Sequence, residues 1–449
     1  MLCATMPEFD SLAAWLCNAP VEPARAHEHF AALLSRAARD NPHLHCYIDL
    51  MLERARARAR RLFTSDHGCI GLATRWPLFG VPVAVKDNIA IRGLPVSCGS
   101  LALGRPPAAR DAAIVTRLES SGALLIGRTN MDEAALGASG RNEHFGRCLN
   151  PRREGCLSGG SSSGSAAAIA AGHALIGIGT DTLGSVRIPA ALCGIVGLKP
   201  SHGLLDTRGV TPLYPAFDTL GLLAGSLADA RLAMESLAPP GMPGNCAPHL
   251  PLRIGCLQEQ HMIGCESSVA ETYHSLVAAL ARQPGVQCVP VAEFDFGALT
   301  TAAVWEVAAS FAARCARAGG RDGFARLLRR VGSELAHLLE RALARTQDQR
   351  RAGRALLRDG GVFLRDALSG LAGMLTPTCP VTAVDARQAL PRSIADFTAA
   401  ANVARAPAIC WPQPSESTGH SVSLQLIGSP GEDLQLLAAA QSVQDRLSA

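Results

Sequence analysis

Glu154-Gly-Cys-Leu-Ser-Gly-Gly-Ser-Ser-Ser-Gly-Ser-Ala-Ala-Ala-Ile-Ala-Ala-Gly172 leads, after a short apolar run, into Gly179-Thr-Asp-Thr-Leu-Gly-Ser-Val-Arg-Ile-Pro-Ala190, and the stretch closes at Pro200. A Gly/Ser cluster feeding an Ala-rich segment predicts a flexible loop that opens a helix whose small side chains permit close packing. Leu175-Ile-Gly-Ile178 predicts a short buried strand, with Asp181 to Arg187 as a second Gly/Ser loop at its end. Two loops rich in hydroxyls and backbone N–H groups are thereby tied to one helix and one strand. Such a pair can converge on a reacting carbonyl.

The flanks continue the alternation of short apolar strands and helices. Val81 to Val85 is a β-branched run that ends in Lys86-Asp87-Asn88, a buried strand with a lysine at its tip. A lysine so placed most often snorkels to the surface. Asp111 to Leu118 reads as an amphipathic helix capped by its acid, and Ala123 to Ile126 as a buried strand followed by Gly127-Arg-Thr-Asn-Met-Asp-Glu133. Residues 1–65 have helical periodicity interrupted by Pro20 and Pro23. A Pro/Gly-rich linker is expected from Pro239 to Pro251, a strand at Leu252 to Cys256, and an Arg-rich helical insertion over residues 266–370. Strands return at Met374 to Pro380, Ala408 to Cys410 and Val422 to Ile427, and a final helix spans Glu432 to Leu447. The expected class is α/β, a mixed central sheet flanked by helices.

Composition narrows the functions. Of 449 residues 48% are hydrophobic, ample for a large core, and a net charge of +4 with only 4% aromatics is unlike a nucleic-acid binder. The run Glu53 to Arg61 alternates Arg and Ala, which spreads charge around a helix; a solvated connecting helix is the plain reading, a docking site for RNA or a partner the other. Fifteen cysteines without C-x-x-C or paired spacing argue against a disulfide framework or zinc site and for a reducing compartment. Glu8 and Asp10 interrupt the first apolar stretch, and no run approaches the roughly 18 apolar residues of a membrane span. A cytoplasmic protein with no nucleic-acid or membrane partner is expected.

Gly160-Ser-Ser-Ser-Gly164 satisfies the nucleophile-elbow pattern, but Arg152 to Ser158 is no strand, and the required acid and histidine are met only by unmarked Asp396 and His420. A phosphate cradle lacks its Lys-Ser/Thr. An alternative is a serine nucleophile with a lysine base. Gly80-Val-Pro-Val-Ala-Val-Lys86-Asp-Asn88, Gly159-Gly-Ser-Ser-Ser-Gly-Ser165 and Gly179-Thr-Asp-Thr-Leu-Gly-Ser-Val-Arg-Ile-Pro189, in this order and spacing, resemble the amidase signature family. The resemblance takes in Thr129 to Glu133, Leu192 to Pro200 and, more faintly, Leu424 to Gly428; it is strong over residues 70–235 and loose on both flanks.

The resemblance implies one amidase-signature domain over residues 1–449, with N-terminal helices (1–65), a signature core (70–235), the insertion (266–370) and a C-terminal return to the sheet (371–449). It implies hydrolysis of a small-molecule carboxylic amide, with no metal and no cofactor, through an acyl-enzyme on Ser185. Lys86 matches the catalytic lysine and Ser161 the cis-peptide serine. A hydroxyl needs a base to take its proton, and a lysine serves only when burial lowers its pKa. Backbone N–H groups of Thr182, Leu183 and Gly184 would form the oxyanion hole; Gly137, Ser139 and Ser162 are candidate substrate contacts. Three positions depart from the pattern: Leu183 and Ser163 stand for glycines and Ser158 for a proline, so Leu183 must have backbone angles that suit an L-residue. Asp181 and Arg187 read as a structural ion pair, or else as groups that orient Ser185 or a polar substrate.

Within the family the short chain and the tract Ser185 to Ala190 look more like small-molecule amidases than the tRNA-dependent amidotransferase subunit, and the overall texture is most similar to hydrolases of indoleacetamide and of carboxybiuret-like ureides. The A subunit of glutamyl-tRNA amidotransferase, which needs partners, is the alternative. A non-catalytic binding protein on the same scaffold is a third reading, and Leu183 alone favours it. An apolar helix in the insertion suits the core or, as the other option, a homodimer face.

Overall fold

The computed structural model describes residues 9–64, 76–104, 106–239, 250–414 and 421–448. The chain opens with α1 (Leu12–Asn18), α2 (Pro23–Leu44), β1 (Tyr47–Leu50) and α3 (Leu52–Thr64), then enters β2 (Pro82–Lys86), α4 (Ala113–Ser120) and β3 (Leu124–Thr129). The central stretch supplies α5 (Ser163–Ala170), β4 (Ile176–Asp181), α6 (Arg187–Leu192), β5 (Val196–Lys199), β6 (Thr219–Ala224) and α7 (Leu227–Leu237). Next come β7 (Leu252–Cys256), α8 (Ser267–Ala281), β8 (Val286–Pro290) and three long helices, α9 (Phe296–Leu328), α10 (Ser333–Leu343) and α11 (Gln347–Leu368). The chain finishes with β9 (Gly373–Pro377), α12 (Asp396–Val403), β10 (Ala408–Gln413), β11 (Val422–Ile427) and α13 (Asp433–Ser448).

Among the described residues, eleven strands join one mixed sheet in the order β1-β3-β2-β4-β6-β5-β10-β11-β9-β7-β8. β2 runs parallel to both β3 and β4, and every residue of these three strands is buried. That is why their amino-terminal parts read as apolar runs: a strand covered on both faces has no polar side to alternate. Their carboxyl ends lie together, where α/β folds hold ligands.

Several expectations change. β1 appears between the N-terminal helices, pairing antiparallel with β3 through Tyr47 and Thr129. β6, unmarked by any sequence signal, sits between β4 and β5 and pairs with both, Leu222 facing Ile178 on one side and Leu198 on the other. α4 starts at Ala113 with no side-chain cap, because Asp111 Oδ1 instead accepts the Arg92 N–H at 2.7 Å. The expected helical insertion contains a strand, β8, which extends the sheet beside β7. Most of the expected linker, residues 240–249, and His420 lie outside the described residues. The Arg/Ala run forms α3, with Ala55 and Ala59 buried, Arg54 paired to Glu119, and Arg58 bonded to the carbonyls of Glu119 and Ala123. Phe296 to Ala318 of α9 is long and apolar enough to cross a membrane, yet most of it is buried, with Leu299, Ala303, Val307 and Ala312 in the main core.

Candidate active site

Lys86 ends β2 with no solvent exposure. Its Nζ donates to Ser161 Oγ at 2.8 Å, to Thr180 Oγ1 at 3.0 Å and to the Thr180 carbonyl at 3.4 Å. Burial lowers its pKa from 10.5 to about 7, and the charges of Asp132, Asp181 and Asp218 offset only part of that. The snorkelling alternative for this lysine is thereby excluded. Neutral in about half of the molecules at pH 7, it can then offer a lone pair to Ser161 while two N–H bonds hold it on Thr180.

Ser161 is fully buried at the turn into α5, and its peptide bond to Gly160 is cis. Gly160 must be glycine, since a Cβ there would stand 1.8 Å from Asp132 Oδ2. Asp132 holds the surrounding loops together. Its N–H donates to the Ser161 carbonyl at 3.2 Å, and its carboxylate accepts N–H bonds from Ser139 (3.1 Å) and Gly140 (3.0 Å) and the Ser139 hydroxyl (3.1 Å). Burial raises the Asp132 pKa, with those N–H bonds from Gly140 and Ser139 opposing.

Ser185 lies on the loop between β4 and α6 and is 9% exposed. Its carbonyl accepts the Ser162 N–H at 3.0 Å, which ties the two Gly/Ser loops together as their sequence suggests. A direct bond between the Ser161 and Ser185 hydroxyls is not formed in this arrangement.

The Asp181–Arg187 pair proves to be the frame of the Ser185 loop. Both side chains are fully buried; Arg187 meets Asp181 through Nη2 (2.9 Å) and Nε (3.1 Å), and also donates to Asn402 Oδ1 (2.7 Å), Gln425 Oε1 (2.6 Å) and the Thr398 carbonyl (2.8 Å). Burial pushes the Asp181 carboxyl up, but the Arg187 guanidinium outweighs it and holds the group well below the usual carboxylate range. Asp181 in turn accepts the Gly184 N–H at 2.8 Å and the Val186 N–H at 3.1 Å. This corrects one expectation: the Gly184 N–H is already engaged and is not available to an oxyanion. Among the described residues the N–H groups of Thr182, Leu183 and Ser185 find no acceptor.

Leu183 is not among the residues with positive φ; that conformation falls on Gly184 (φ 123°), where a Cβ would press on Thr398 Oγ1 at 2.2 Å. A leucine therefore fits, partly buried against the core with its carbonyl accepting the Thr398 hydroxyl at 2.8 Å.

The candidate substrate contacts divide. Gly137 lines a cleft of about 220 Å3 with Leu136 and Arg141. Ser139 is bonded to Asp132, and Ser162, fully buried, reaches the Thr180 carbonyl at 3.3 Å; both serve the protein's own loops in this structure. Sequence reasoning assigned no role to Asn88 or Thr180, although both lie inside quoted motifs, nor to Thr398 and Asn402 on α12. Asn88 Nδ2 donates to Thr180 Oγ1 at 3.0 Å, completing the contacts of that hydroxyl with Lys86.

Comparison with known proteins gives the family. The family model described as Amidase matches residues 28–437. The glutamyl-tRNA(Gln) amidotransferase A subunit of Chlorobium chlorochromatii (strain CaD3) is 42% identical over 205 residues, 46% of this chain and 42% of that one; the match thus spans less than half the length of the first curated relatives. Its counterpart in Prochlorococcus marinus (strain MIT 9303) is 31% identical over 471 residues, covering 96% of each chain. A solved structure described as an amidase superposes with a TM-score of 0.83 at 28% identity, over 97% of this chain and 99% of that one. The chain belongs to the amidase family.

Proposed function

We propose that this chain hydrolyses a small-molecule carboxylic amide through an acyl-enzyme on Ser185, with Ser161 and Lys86 as its proton relay. The observation that carries the reading is a fully buried lysine 2.8 Å from Ser161, on a loop bonded to the Ser185 carbonyl. Ser185 Oγ attacks the amide carbon as its proton passes to Ser161 and the Ser161 proton passes to Lys86 Nζ. The serine–serine contact closes when substrate is bound, as catalytic hydrogen bonds are often long before then. The developing oxyanion is met by the N–H groups of Thr182 and Leu183, each donor of this kind contributing roughly 3 to 4 kcal/mol in serine hydrolases. The tetrahedral intermediate collapses as the proton returns through Ser161 to the leaving nitrogen, and ammonia or an amine departs. Water then cleaves the ester along the reverse route and frees Ser185.

A second reading is favoured by the names of the relatives: an amidotransferase A-type subunit that hydrolyses glutamine and works with partners. The two separate in one assay, ammonia release by the purified chain alone from small amides, ureides and glutamine. Turnover of simple amides that Ser185→Ala and Lys86→Ala both abolish supports the hydrolase. Silence on simple amides, with glutamine hydrolysed only beside added partner subunits, supports the amidotransferase and refutes the first reading.

A further inference from the structure

A cavity of about 580 Å3 lies between α9 and the loops that follow β2 and β3. That is within the range of small-molecule sites, about 300–1,000 Å3. α9 bends at Gly320 (φ 64°), and both of its halves reach the cavity, Phe311 and Arg314 from before the bend and Leu327 from after it. The facing wall includes Cys98, Ala134 and Ala135. These have φ of 55°, 58° and 62°, and only two other non-glycine residues among those described have positive φ, His45 and Arg405. Backbone held in this region clusters at ligand clamps and active sites, where surrounding structure enforces it. The cavity is linked to Lys86 through one lining residue. Asn88 lines it, and Asn88 and Lys86 donate to the same Thr180 hydroxyl at 3.0 Å each.

Among the described residues that line the cavity, Arg314 alone is charged. The side chain is held in place: Nη2 donates to the carbonyls of Pro212 (3.0 Å) and Leu213 (2.5 Å), and the guanidinium lies over the Phe311 ring at 5.6 Å from its centroid. Its Nε and Nη1 groups find no acceptor among the described residues. Asp218, the carboxylate near enough to feel its charge, accepts from Thr182 Oγ1 (2.7 Å) and from the N–H groups of Leu213 (2.8 Å) and Tyr214 (2.9 Å). A fixed guanidinium with spare donors beside apolar walls discriminates strongly: a planar anion pairs with it, a neutral group leaves it unmatched, and a cation is repelled.

We infer that Arg314 is a specificity-determining residue, and that the substrate is an amide carrying an anionic group, a carboxylate by preference, whose apolar body lies against Phe311, Ala134 and Ala135. This rests on the amide-hydrolase reading, and the experiment separates the two. Ammonia release is compared for succinamate, butyramide and 4-aminobutyramide, close in size and differing in terminal charge. The wild type is expected to favour succinamate over butyramide at least tenfold in kcat/KM, mostly through KM, with 4-aminobutyramide poorest. Arg314→Met should remove that preference and leave butyramide within about threefold; Arg314→Lys, which keeps the charge but loses the fork, should fall between. Equal handling of succinamate and butyramide by the wild type, or an equal loss on both in Arg314→Met, overturns the inference. If no amide is hydrolysed, the hydrolase reading fails and calorimetry with succinate on Ser185→Ala still decides this one. Binding that Arg314→Met weakens at least tenfold upholds it; no binding, or binding unchanged by that substitution, overturns it.

Discussion

Lys86 offers a quantitative test, because its proton is both the chemical switch and a stability term. Burial brings the lysine from 10.5 to about 7. At 1.36 kcal/mol per pH unit, that disfavours the charged form by about 5 kcal/mol. An ordinary lysine is neutral in fewer than about one molecule in a thousand at pH 7, whereas Lys86 is neutral in about half. Only the neutral amine can take the Ser161 proton, so kcat/KM should rise on a single acid limb centred near pH 7, about tenfold from pH 6 to pH 8, and level off above. The assay is initial-rate ammonia release at constant ionic strength from pH 5.5 to 9, run beside Lys86→Ala, which should be inactive throughout. The same value makes a second claim. Between pH 7 and 10.5 the unfolded chain holds the lysine proton and the folded chain does not, so this group's contribution makes stability rise with pH across that window. Below pH 7 both states are protonated and folding bears the full cost of burying the charge. Lys86→Met should therefore raise the unfolding midpoint most at pH 6 to 7, the gain shrinking as pH approaches 10. A flat rate profile, or a Met variant whose stability difference does not change with pH, would show that Lys86 is not the buried titrating base described.

Three other outcomes follow from the geometry. Ser161→Ala removes the hydroxyl that stands between Lys86 and the Ser185 loop, so kcat should fall by about 10²–10⁴ with the fold retained; a loss under tenfold in single-turnover rates would remove Ser161 from the relay. Arg187→Met leaves Asp181 buried and unpaired and should cost about 3–5 kcal/mol in urea unfolding, whereas a change below about 1 kcal/mol would mean that the loop is not framed by this pair. Gly160→Ala places a Cβ 1.8 Å from Asp132 Oδ2. It should abolish activity or folding, and near-wild-type rates would show that the loop can open around the acid.

Much of this was legible in the chain itself, for local reasons. The β-branched run ending at Lys86, the apolar run before Asp181 and the Gly/Ser loops announce themselves because strands buried on both faces must be apolar and tight loops must carry small residues. The resemblance carried by the three motifs names Lys86, Ser161 and Ser185 as one set. Folding decided the rest. β6 is a Leu-rich run without the β-branched residues of β2, and only its pairing with β4 and β5 shows it to be a strand. Gly184 looked like an oxyanion donor until Asp181 was seen to take its N–H, a contact three residues apart that depends on the loop's curl. Leu183 needs backbone angles that suit an L-residue, and only the folded loop puts the positive φ on its neighbour Gly184. Thr398, Asn402 and Gln425 reach Arg187 from more than 200 residues away, and α9 brings Arg314 over the cavity beside Asn88. Spacing along a chain reports which groups share a strand or a turn; which donors stay free, and which charge faces an empty volume, depends on partners distant in sequence that packing alone brings into place.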